Sequence, residues 1–269
     1  MPTPVFRFAP SPNGELHLGH AYSALLNAKL ANEAGGKFLV RIEDIDTVRC
    51  TREFAVQALS DLRWLGLTWE EPVRFQSEHL RDYAARQDVL RGSGLLYPCF
   101  CSRKDIAARH MPAVLDPEGQ PLYDGHCRFL SDGDISELTQ SGVAFSLRLD
   151  MREAVARSGG GLAMNPGPWG DVILVRKDIL TSYHMAVVTD DALQGITHVV
   201  RGRDLGQSTS IHLLLQRLLA LPHPVYRHHE LISDDSGRKL AKSFHSTALS
   251  TLREEGTTAG DIRKALGFD

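Results

Sequence analysis

The N-terminal segment limits the possible folds most, because its pattern predicts a strand, a turn, a helix and a second strand. Residues 5–9 alternate in polarity, residues 10–14 are turn formers, and residues 16–34 carry apolar side chains at helical spacing before two glycines. Residues 38–42 predict the second strand. Two strands joined by a helix of this length are typical of a βαβ unit. We therefore predict a parallel sheet that binds ligands at the carboxyl ends of its strands.

The rest of the chain predicts an insertion followed by a return of the sheet. Further helices are predicted at residues 52–65, 78–91 and 208–220, and alternating runs that continue the sheet at 183–188 and 196–200. Between these runs the helical pattern weakens, cysteines cluster, and glycine and proline become frequent. The predicted class is α/β, a doubly wound parallel sheet with an insertion. The predicted boundaries are 1–96 and 169–243 for the two halves of the main domain, 97–168 for the insertion, and 244–269 for a short C-terminal tail.

Composition excludes several classes of protein. With 42% hydrophobic and 23% charged residues and a net charge of −3, the chain has the composition of an ordinary globular protein. The longest apolar stretch, residues 211–221, is interrupted by polar side chains, and the N-terminus lacks the apolar run of a signal peptide. Four cysteines in a chain of this length do not make a disulfide framework. We expect a cytoplasmic protein with no membrane association and no obligate protein partner; its mild acidity does not exclude a local basic surface for nucleic acid.

Two histidines flank a glycine where the first helix is predicted to begin, in the sequence His17-Leu18-Gly19-His20. Free N–H groups and the positive end of the helix dipole favour phosphate at such a position. His17 and His20 are three residues apart and can share one face of the first turn, while Gly19 leaves the backbone open to a flat base. The alternative is an amphipathic helix with two solvated histidines.

A second polar segment near the C-terminus contains Lys239 and Lys242, three residues apart and followed by Ser243. A lysine on a loop can neutralise the charge that develops on a departing polyphosphate. The alternative interpretation is an exposed basic loop without a catalytic role.

Together the two motifs resemble the HIGH and KMSKS motifs of class I aminoacyl-tRNA synthetases, in the order and separation that fit that class. The resemblance implies a Rossmann-like catalytic domain that binds ATP, with Mg²⁺ accompanying the nucleotide. It implies catalytic roles for His17, His20 and Lys242. It also implies that these three residues bind ATP together with Gly19 and Lys239.

Four segments resemble the glutamyl branch of this class: residues 7–12, 41–46, 183–191 and 199–205. The resemblance implies a pocket for L-glutamate that is lined by Arg7, Ala9, Ser11, Glu43, Tyr183 and Arg201. The residue types suit this substrate, because arginine binds a carboxylate through two parallel hydrogen bonds and Glu43 can accept from an ammonium group. The alternatives are a structural ion pair for Arg7 or Arg201 and a core position for Tyr183.

The carboxylates of Asp44 and Asp46 follow the predicted second strand and allow two interpretations. They could bind Mg²⁺ as a pair. We expect instead that they position loops or cap the next helix, and that Mg²⁺ arrives with ATP.

The predicted insertion contains three cysteines with other potential metal ligands nearby: Cys99, Cys101 and Cys127, with Tyr123, His110 and His126. Zinc takes four nitrogen, sulfur or oxygen ligands in a tetrahedron. Residue chemistry alone favours His126 or His110 as the fourth ligand, and reduced cysteines in an ordinary core are the alternative. The resemblance to short glutamyl-type enzymes implies instead one structural Zn²⁺ bound by Cys99, Cys101, Tyr123 and Cys127. We expect Cys50, which is distant in sequence, to be structural.

The resemblance extends from about residue 5 to residue 243, and the 26 residues after Ser243 predict a helix or two and no anticodon-binding domain. Such a chain resembles stand-alone truncated paralogues of glutamyl-tRNA synthetase, which transfer activated glutamate to queuosine in the anticodon loop of tRNA(Asp). The resemblance implies three partners: ATP, L-glutamate and the queuosine-bearing anticodon stem-loop of tRNA(Asp). The alternatives are a minimal synthetase that charges the 3′ end of tRNA(Glu) and a non-catalytic binding protein of the same fold.

Overall fold

The computed structural model describes residues 2–109, 114–232 and 247–268. Its strands are β1 (Val5–Phe8), β2 (Lys37–Ile42), β3 (Glu70–Phe75), β4 (Leu96–Cys99), β5 (Ser146–Leu149), β6 (Ile173–Val175), β7 (His198–Gly202) and β8 (Val225–His229). Its helices are α1 (Leu18–Glu33), α2 (Arg52–Trp64), α3 (Leu80–Gly92), α4 (Arg103–Arg109), α5 (Asp132–Gln140), α6 (Met151–Arg157), α7 (Tyr183–Leu193), α8 (Thr209–Leu218), α9 (Leu249–Glu254) and α10 (Ala259–Ala265). The chain divides into two compact units. The first contains the described residues of Met1–His79, Leu193–Gly206 and Pro224–Asp269, and the second those of Leu80–Ala192 and Gln207–His223.

The first unit is built on a five-stranded sheet in the order β3-β2-β1-β7-β8. Each neighbouring pair is parallel. The chain moves outward from β1 through β2 to β3 on one side and returns through β7 to β8 on the other. The order therefore reverses between β1 and β7, and in open α/β sheets ligands bind outside the carboxyl ends of the strands at such a point.

One face of this sheet forms the main apolar core of the first unit with α1 and α2. Phe6 and Phe8 of β1 lie beside Phe38 and Val40 of β2 in register, so all four side chains leave the same face. They pack in one cluster with buried residues of the two helices, among them Ala21, Leu25, Ala58 and Leu62. Truncating a fully buried leucine such as Leu62 to alanine costs about 2–5 kcal/mol of folding free energy.

The second unit contains an antiparallel sheet in the order β4-β5-β6, with helices α3 to α8. Buried polar groups join its elements. The Tyr83 hydroxyl of α3 donates to a carboxylate oxygen of Asp190 in α7 at 3.0 Å. The Trp169 indole N–H donates to the Ser210 hydroxyl of α8 at 3.0 Å. These bonds satisfy side chains that would otherwise cost free energy to bury.

The fold confirms the predicted α/β class and parallel sheet, and the helices predicted near 52–65, 78–91 and 208–220 are α2, α3 and α8. The interpretation of residues 183–188 as part of the sheet is wrong, because they begin α7. Every residue from Met185 to Asp191 is buried, so the apolar side chains surround this helix and show no helical stripe. The domain boundaries predicted at 96, 168 and 243 stay predictions. No helix in the described ranges is both long and apolar enough to cross a membrane.

Candidate functional site

The two motif histidines form the N-terminal cap of α1. His17 is the N-cap residue, with an extended backbone, and its Nδ1 accepts a hydrogen bond from the Gly19 N–H at 3.1 Å. The Nδ1 of His20 accepts from the His17 N–H at 3.2 Å. These reciprocal bonds make a capping box, which satisfies two N–H groups that the first helical turn leaves without helical partners. The two imidazole rings are in contact, with centroids 3.9 Å apart and planes inclined by 33°.

This capping arrangement fixes the tautomer of both rings. Because each Nδ1 accepts a backbone hydrogen bond, each neutral imidazole carries its proton on Nε2. Burial lowers the pKa of His17. Burial, with a smaller contribution from His17, lowers the pKa of His20 to about 3. Both rings are therefore neutral at pH 7, and each offers one Nε2–H donor at the start of a helix, where the dipole already favours an anion.

Glycine at position 19 suits the cap itself. A Cβ at this position would lie 3.0 Å from Cε1 and 3.1 Å from Nδ1 of His17, closer than ordinary van der Waals contact. A larger residue would therefore require the capping ring of His17 to shift by a few tenths of an ångström. Gly19 is also predicted to leave room for a nucleotide base, so the contact with His17 is a second reason for glycine at this position.

Backbone pairing holds His17 in its extended conformation. His17 forms an antiparallel bridge with Ala248, and the Leu249 N–H donates to the Leu16 carbonyl at 2.8 Å. The Ser250 hydroxyl donates to a carboxylate oxygen of Glu15 at 2.6 Å. The start of α9 is thus attached to the turn before α1. Local sequence patterns could not reveal this contact, because it joins opposite ends of the chain.

The loops that follow β1 and β2 are tied together at the carboxyl edge of the sheet. The Glu43 N–H donates to the Pro10 carbonyl at 2.9 Å, and the Thr51 N–H donates to the Pro12 carbonyl at 3.2 Å. These bonds hold the turn before α1 against the segment that carries Glu43. In both bonds the proline is the acceptor, since a proline lacks an N–H group and can bond only through its carbonyl.

Asp44 and Asp46 position the same loop, as expected. Asp44 accepts hydrogen bonds from the Ser77 N–H at 2.9 Å and from the Ser77 hydroxyl at 2.7 Å. Asp46 accepts from the Arg49 guanidinium at 2.7 Å. Neither caps α2, whose N-cap is Thr51. The two carboxylates therefore stabilise loop conformation through different partners.

Strand parity places most of the predicted pocket residues on one face of the parallel sheet. Side chains alternate along a strand, so Arg7 and Ala9 face opposite to Phe6 and Phe8. In register, β1 aligns with β2 and β7 so that Arg41 and Arg201 share the Arg7 face. The three arginines are buried, each no more than 5% exposed. Three buried guanidinium groups thus lie on one face of the sheet, and that of Arg41 is paired with the Glu43 carboxylate.

Arg41 is a residue that the sequence argument did not assign. Its guanidinium donates to a carboxylate oxygen of Glu43 at 3.0 Å and to the side-chain oxygen of Gln194 at 3.0 Å. The Arg41–Glu43 pair is almost fully buried, so its charges attract more strongly than they would in water. The available signal was parity, since Arg41 precedes Glu43 by two residues and therefore faces the same side.

Arg201 lies beside the edge strand β8. Its guanidinium carbon is 5.5 Å from the centroid of the Tyr226 ring, and His228 is its partner in the strand register. Burial, followed by the positive charge of Arg201, lowers the pKa of His228. His228 is thereby kept neutral at pH 7, which avoids a second positive charge next to the arginine.

The remaining predicted site residues are placed as follows. Ser11 is exposed in the turn after β1. Tyr183 is the first residue of α7 in the second unit. Lys239 and Lys242 lie outside the described residues, as does His110.

The three insertion cysteines come together in the second unit. Cys99 ends β4, Cys101 lies two residues later, and Cys127 lies in a short 3-10 turn, His126–Phe129. Their sulfur atoms all lie within 4.8 Å of one another, and those of Cys101 and Cys127 are 3.4 Å apart. Cys50 is buried in the first unit. Three convergent thiols fit a soft divalent ion such as Zn²⁺.

Tyr123 is better placed than His126 to complete such a set. Its buried hydroxyl accepts a hydrogen bond from the Cys127 N–H at 2.7 Å. Burial raises the pKa of Cys99, but hydrogen bonds from Tyr123 and Arg148 outweigh it and leave the pKa below its usual value. His126 is exposed, and within the described ranges no histidine or carboxylate joins the three thiols. Among the described residues the geometry therefore favours Tyr123 over His126, whereas His110, the other histidine that residue chemistry favours, lies outside them.

Comparison with known proteins identifies the family. The family model for the catalytic domain of class I tRNA synthetases (E and Q) matches residues 5–266. A protein of Rhodobacter capsulatus named glutamyl-Q tRNA(Asp) synthetase is 46% identical over 98% of this chain and 100% of its own length. One of Symbiobacterium thermophilum with the same name is 41% identical over 97% of this chain and 85% of its own. A glutamate–tRNA ligase of Heliobacterium modesticaldum is 37% identical over 93% of this chain and 53% of its own.

The solved structures agree at the level of the fold. The glutamate–tRNA synthetase of Elizabethkingia anophelis superimposes with a TM-score of 0.74 at 24% identity, over 94% of this chain and 54% of that one. This chain thus spans about half the length of the solved structure it matches. The fold, the two-histidine cap and the match of the family model over residues 5–266 lead to one conclusion: the chain belongs to the class I tRNA synthetases of the glutamyl and glutaminyl group and carries the catalytic domain of these ligases.

Proposed function

We propose that this protein activates L-glutamate with ATP and transfers it to the queuosine base in the anticodon loop of tRNA(Asp). The observation that carries the proposal is the pairing of two features at one sheet edge. The capped histidines at the start of α1 suit a polyphosphate. The buried arginine face with Glu43 suits an amino acid that carries an extra carboxylate. Because the substrates are ATP, glutamate and tRNA, we place this activity in the cytoplasm.

In the activation step, a carboxylate oxygen of glutamate attacks the α-phosphorus of ATP. The bond to the bridging oxygen breaks, and pyrophosphate leaves with that electron pair. The Nε2–H groups of His17 and His20 donate to phosphate oxygens as negative charge shifts along the chain of phosphates. Gly19 leaves the backbone open to the nucleotide. Mg²⁺ accompanies ATP, Lys239 helps to bind the nucleotide, and Lys242 neutralises the leaving pyrophosphate.

The glutamate pocket uses charge at both ends of the substrate. Arg7 and Arg201 bind the side-chain carboxylate, because a guanidinium offers two parallel N–H donors. Glu43 accepts from the substrate ammonium, and its hydrogen bond to Arg41 holds the carboxylate in place. The small side chains of Ala9 and Ser11 leave room for the substrate, and the family resemblance adds Tyr183 to the residues proposed to bind glutamate.

We propose that Cys99, Cys101, Tyr123 and Cys127 bind one structural Zn²⁺. The support is the convergence of three thiols around a buried tyrosine hydroxyl. Besides Tyr123, the described apolar residues around the three cysteines are few, with Ile106 buried and Tyr97 and Leu130 partly buried. A metal ion would therefore replace the apolar core that this part of the chain lacks.

In the transfer step, a hydroxyl of the queuosine cyclopentene ring attacks the carbonyl carbon of glutamyl-adenylate. The hydroxyl loses its proton, a new ester forms, and AMP leaves. The support for this acceptor is similarity: relatives named glutamyl-Q tRNA(Asp) synthetase are 39–46% identical to this chain, whereas those named glutamate–tRNA ligase are 36–37% identical. The second candidate, charging of tRNA(Glu) at its 3′ end, rests on the latter group.

The decisive experiment offers the protein labelled glutamate, ATP and three RNAs. These are tRNA(Asp) with queuosine, the same tRNA without it, and tRNA(Glu). We expect label on the first RNA alone, and we expect it to remain after the 3′ terminal nucleoside is removed. Label on tRNA(Glu) that is lost with its 3′ end would establish the second candidate instead. Glutamate-dependent pyrophosphate exchange should also occur without any tRNA. Strict dependence of exchange on tRNA would favour the second candidate, and no exchange with or without tRNA would remove the activation step itself.

A further inference from the structure

One end of the antiparallel sheet in the second unit brings together residues from three strands. In register, Cys99 of β4 is opposite Ser146 of β5, and Leu147 of β5 is opposite Val175 of β6. Phe100 directly follows β4, Phe145 directly precedes β5, and residues 176–177 directly follow β6. Because neighbouring strands run in opposite directions, these residues lie at the same end of the sheet.

The centre of this end is an aromatic pair. The rings of Phe100 and Phe145 have centroids 5.4 Å apart and are inclined by 56°. Both side chains are partly exposed, and Val143, two residues before Phe145, is 40% exposed. Packing within the second unit leaves this apolar surface in contact with water. Partly exposed aromatic rings of this kind provide stacking surfaces for unpaired bases.

Positive charge surrounds the aromatic pair. Residues 100–109 and 176–178 contain five basic and two acidic side chains, in a chain whose net charge is −3. Both acidic groups have local partners: Asp105 accepts from the Ser102 N–H at 2.7 Å, and Asp178 accepts from the Arg176 guanidinium at 2.7 Å. Exposed Arg103, Lys104 and Lys177 therefore dominate the local field.

The loop after β6 also carries a strained residue. Leu180 has a φ of 63°, a conformation that costs free energy in a bulky residue, and its side chain is 64% exposed. The backbone is held in this state by three bonds. The Leu180 N–H donates to the Arg176 carbonyl at 2.9 Å, the Arg176 N–H donates to the Thr181 carbonyl at 3.3 Å, and the buried Gln87 amide donates to the Leu180 carbonyl at 3.0 Å. The fold thus stabilises a strained turn immediately beside the basic residues.

We propose that this sheet-end surface, formed by Phe100, Phe145, Arg103, Lys104, Lys177 and Leu180, binds the single-stranded loop of the tRNA substrate. Unpaired bases stack on the two phenylalanine rings, and the phosphates on either side contact the exposed arginine and lysines. Leu180 extends the apolar contact. A polyanion with flat unpaired bases matches both the charge and the rings of the surface. The inference rests on the proposed function, since it assigns a docking surface for the RNA of that reaction.

The test measures binding of the tRNA(Asp) anticodon stem-loop, with queuosine, to the full chain. We expect Phe145→Ala to raise Kd at least about fivefold, because loss of a base–aromatic stack weakens single-strand binding by that much or more. Phe145→Leu keeps apolar volume but lacks a flat ring, so it should bind the stem-loop almost as poorly as Phe145→Ala does. Phe145→Tyr keeps a flat ring and should bind the stem-loop like the wild type. Lys177→Glu should reduce the slope of log Kd against log salt by about 0.7 or more.

The matched control is Arg152→Glu. Arg152 is exposed on α6, which follows β5 at the other end of the same strand, so the change of charge is equal and the location differs. We expect its Kd and salt slope to equal those of the wild type. Glutamate-dependent pyrophosphate exchange without RNA should be unchanged in all these variants, because none of them touches the ATP or glutamate site.

The outcomes separate the two proposals. Equal RNA affinity in Phe145→Ala, Phe145→Leu and the wild type overturns the docking surface, even if transfer to tRNA(Asp) is active. An effect of Lys177→Glu no larger than that of Arg152→Glu overturns the charge argument. Absence of pyrophosphate exchange in the wild type overturns the proposed function, and the docking surface is then judged by the RNA-binding results alone.

Discussion

Substitutions at His17 separate its two roles, because each role uses a different ring nitrogen. Nδ1 accepts the Gly19 N–H and caps α1, whereas Nε2–H is the donor proposed for ATP. Asparagine reaches the Nδ1 position with its side-chain oxygen but has nothing at Nε2. Glutamine reaches the Nε2 position with its amide N–H but does not cap well. Alanine loses both groups.

The magnitudes follow from these contacts. An N-cap residue of the asparagine type stabilises a helix over alanine by about 1 kcal/mol. His17→Asn and His17→Ala both lose the contact with the His20 ring, whose centroid is 3.9 Å from that of His17, so the difference between their unfolding free energies measures the cap alone. Removal of a single hydrogen-bond donor from a charged transition state typically lowers kcat by about 10²–10³. His17→Asn should therefore be about 1 kcal/mol more stable than His17→Ala and nearly as inactive.

The assays are urea unfolding for stability and glutamate-dependent ATP–pyrophosphate exchange for kcat. We expect His17→Gln to reverse the order, with more residual exchange than His17→Asn and lower stability. The KM for glutamate should change little in the three variants, because His17 is not placed against the amino acid. A His17→Asn variant with wild-type exchange would refute the donor role. Equal stability of His17→Asn and His17→Ala would refute the capping role.

Three further predictions concern pH, metal and substrate. Burial lowers the pKa of His20 to about 3 in the folded state, whereas its value in the unfolded state is about 6.5, so the unfolded state binds more protons between these two pH values. Wild-type stability should therefore fall as the pH drops below about 6.5, and His20 should contribute up to about 1.4 kcal/mol per pH unit to this loss. In chemical unfolding experiments, His20→Asn should show a flatter dependence of stability on pH. The purified protein should contain about one zinc per chain, as measured by atomic absorption. Cys99→Ser should lose most of this zinc, whereas the control variant Cys50→Ser should lose none. Equal zinc content in Cys99→Ser and the wild type would remove Cys99 from the site. Glutamine should support exchange about ten- to a hundredfold less well than glutamate, because a neutral amide cannot form a charge-assisted hydrogen bond with the arginines. Comparable kcat/KM values for the two amino acids would contradict the assignment of Arg7 and Arg201.

The sequence predicted the N-terminal βαβ unit because three independent local signals agree there. The alternation in β1, the turn formers after it and the helical spacing of α1 specify one structure. Residues 183–188 lacked such agreement. The apolar run Met185–Val188 is buried on every side, and a run of this kind does not reveal whether it is helix or strand. The structure settles the ambiguity through packing partners such as Tyr83, which are distant in sequence.

Part of the candidate site could likewise be predicted from the sequence, and part could not. Position 7 of β1 and position 41 of β2 lie on one face of the sheet in the parallel register, and positions 9 and 43, which directly follow these strands, share their parity. That much is accessible from the sequence once β1 and β2 are predicted to be neighbours. Arg201 joins them only because β7 pairs with β1 in the matching register, with Phe6 opposite His198. A shift of one residue would have turned Arg201 toward the apolar core.

The roles of the two motif histidines illustrate what spacing can and cannot establish. A separation of three residues predicts that His17 and His20 share a helix face, and they do. The spacing does not predict that each Nδ1 is occupied by a backbone N–H, because that depends on His17 being the N-cap residue with an extended backbone. The bridge to Ala248 and the contact of Ser250 with Glu15 hold that backbone. The chemistry available to the histidines is therefore decided partly by α9, from the far end of the chain, and a change at Ser250 should reach the nucleotide step through His17 without touching any substrate.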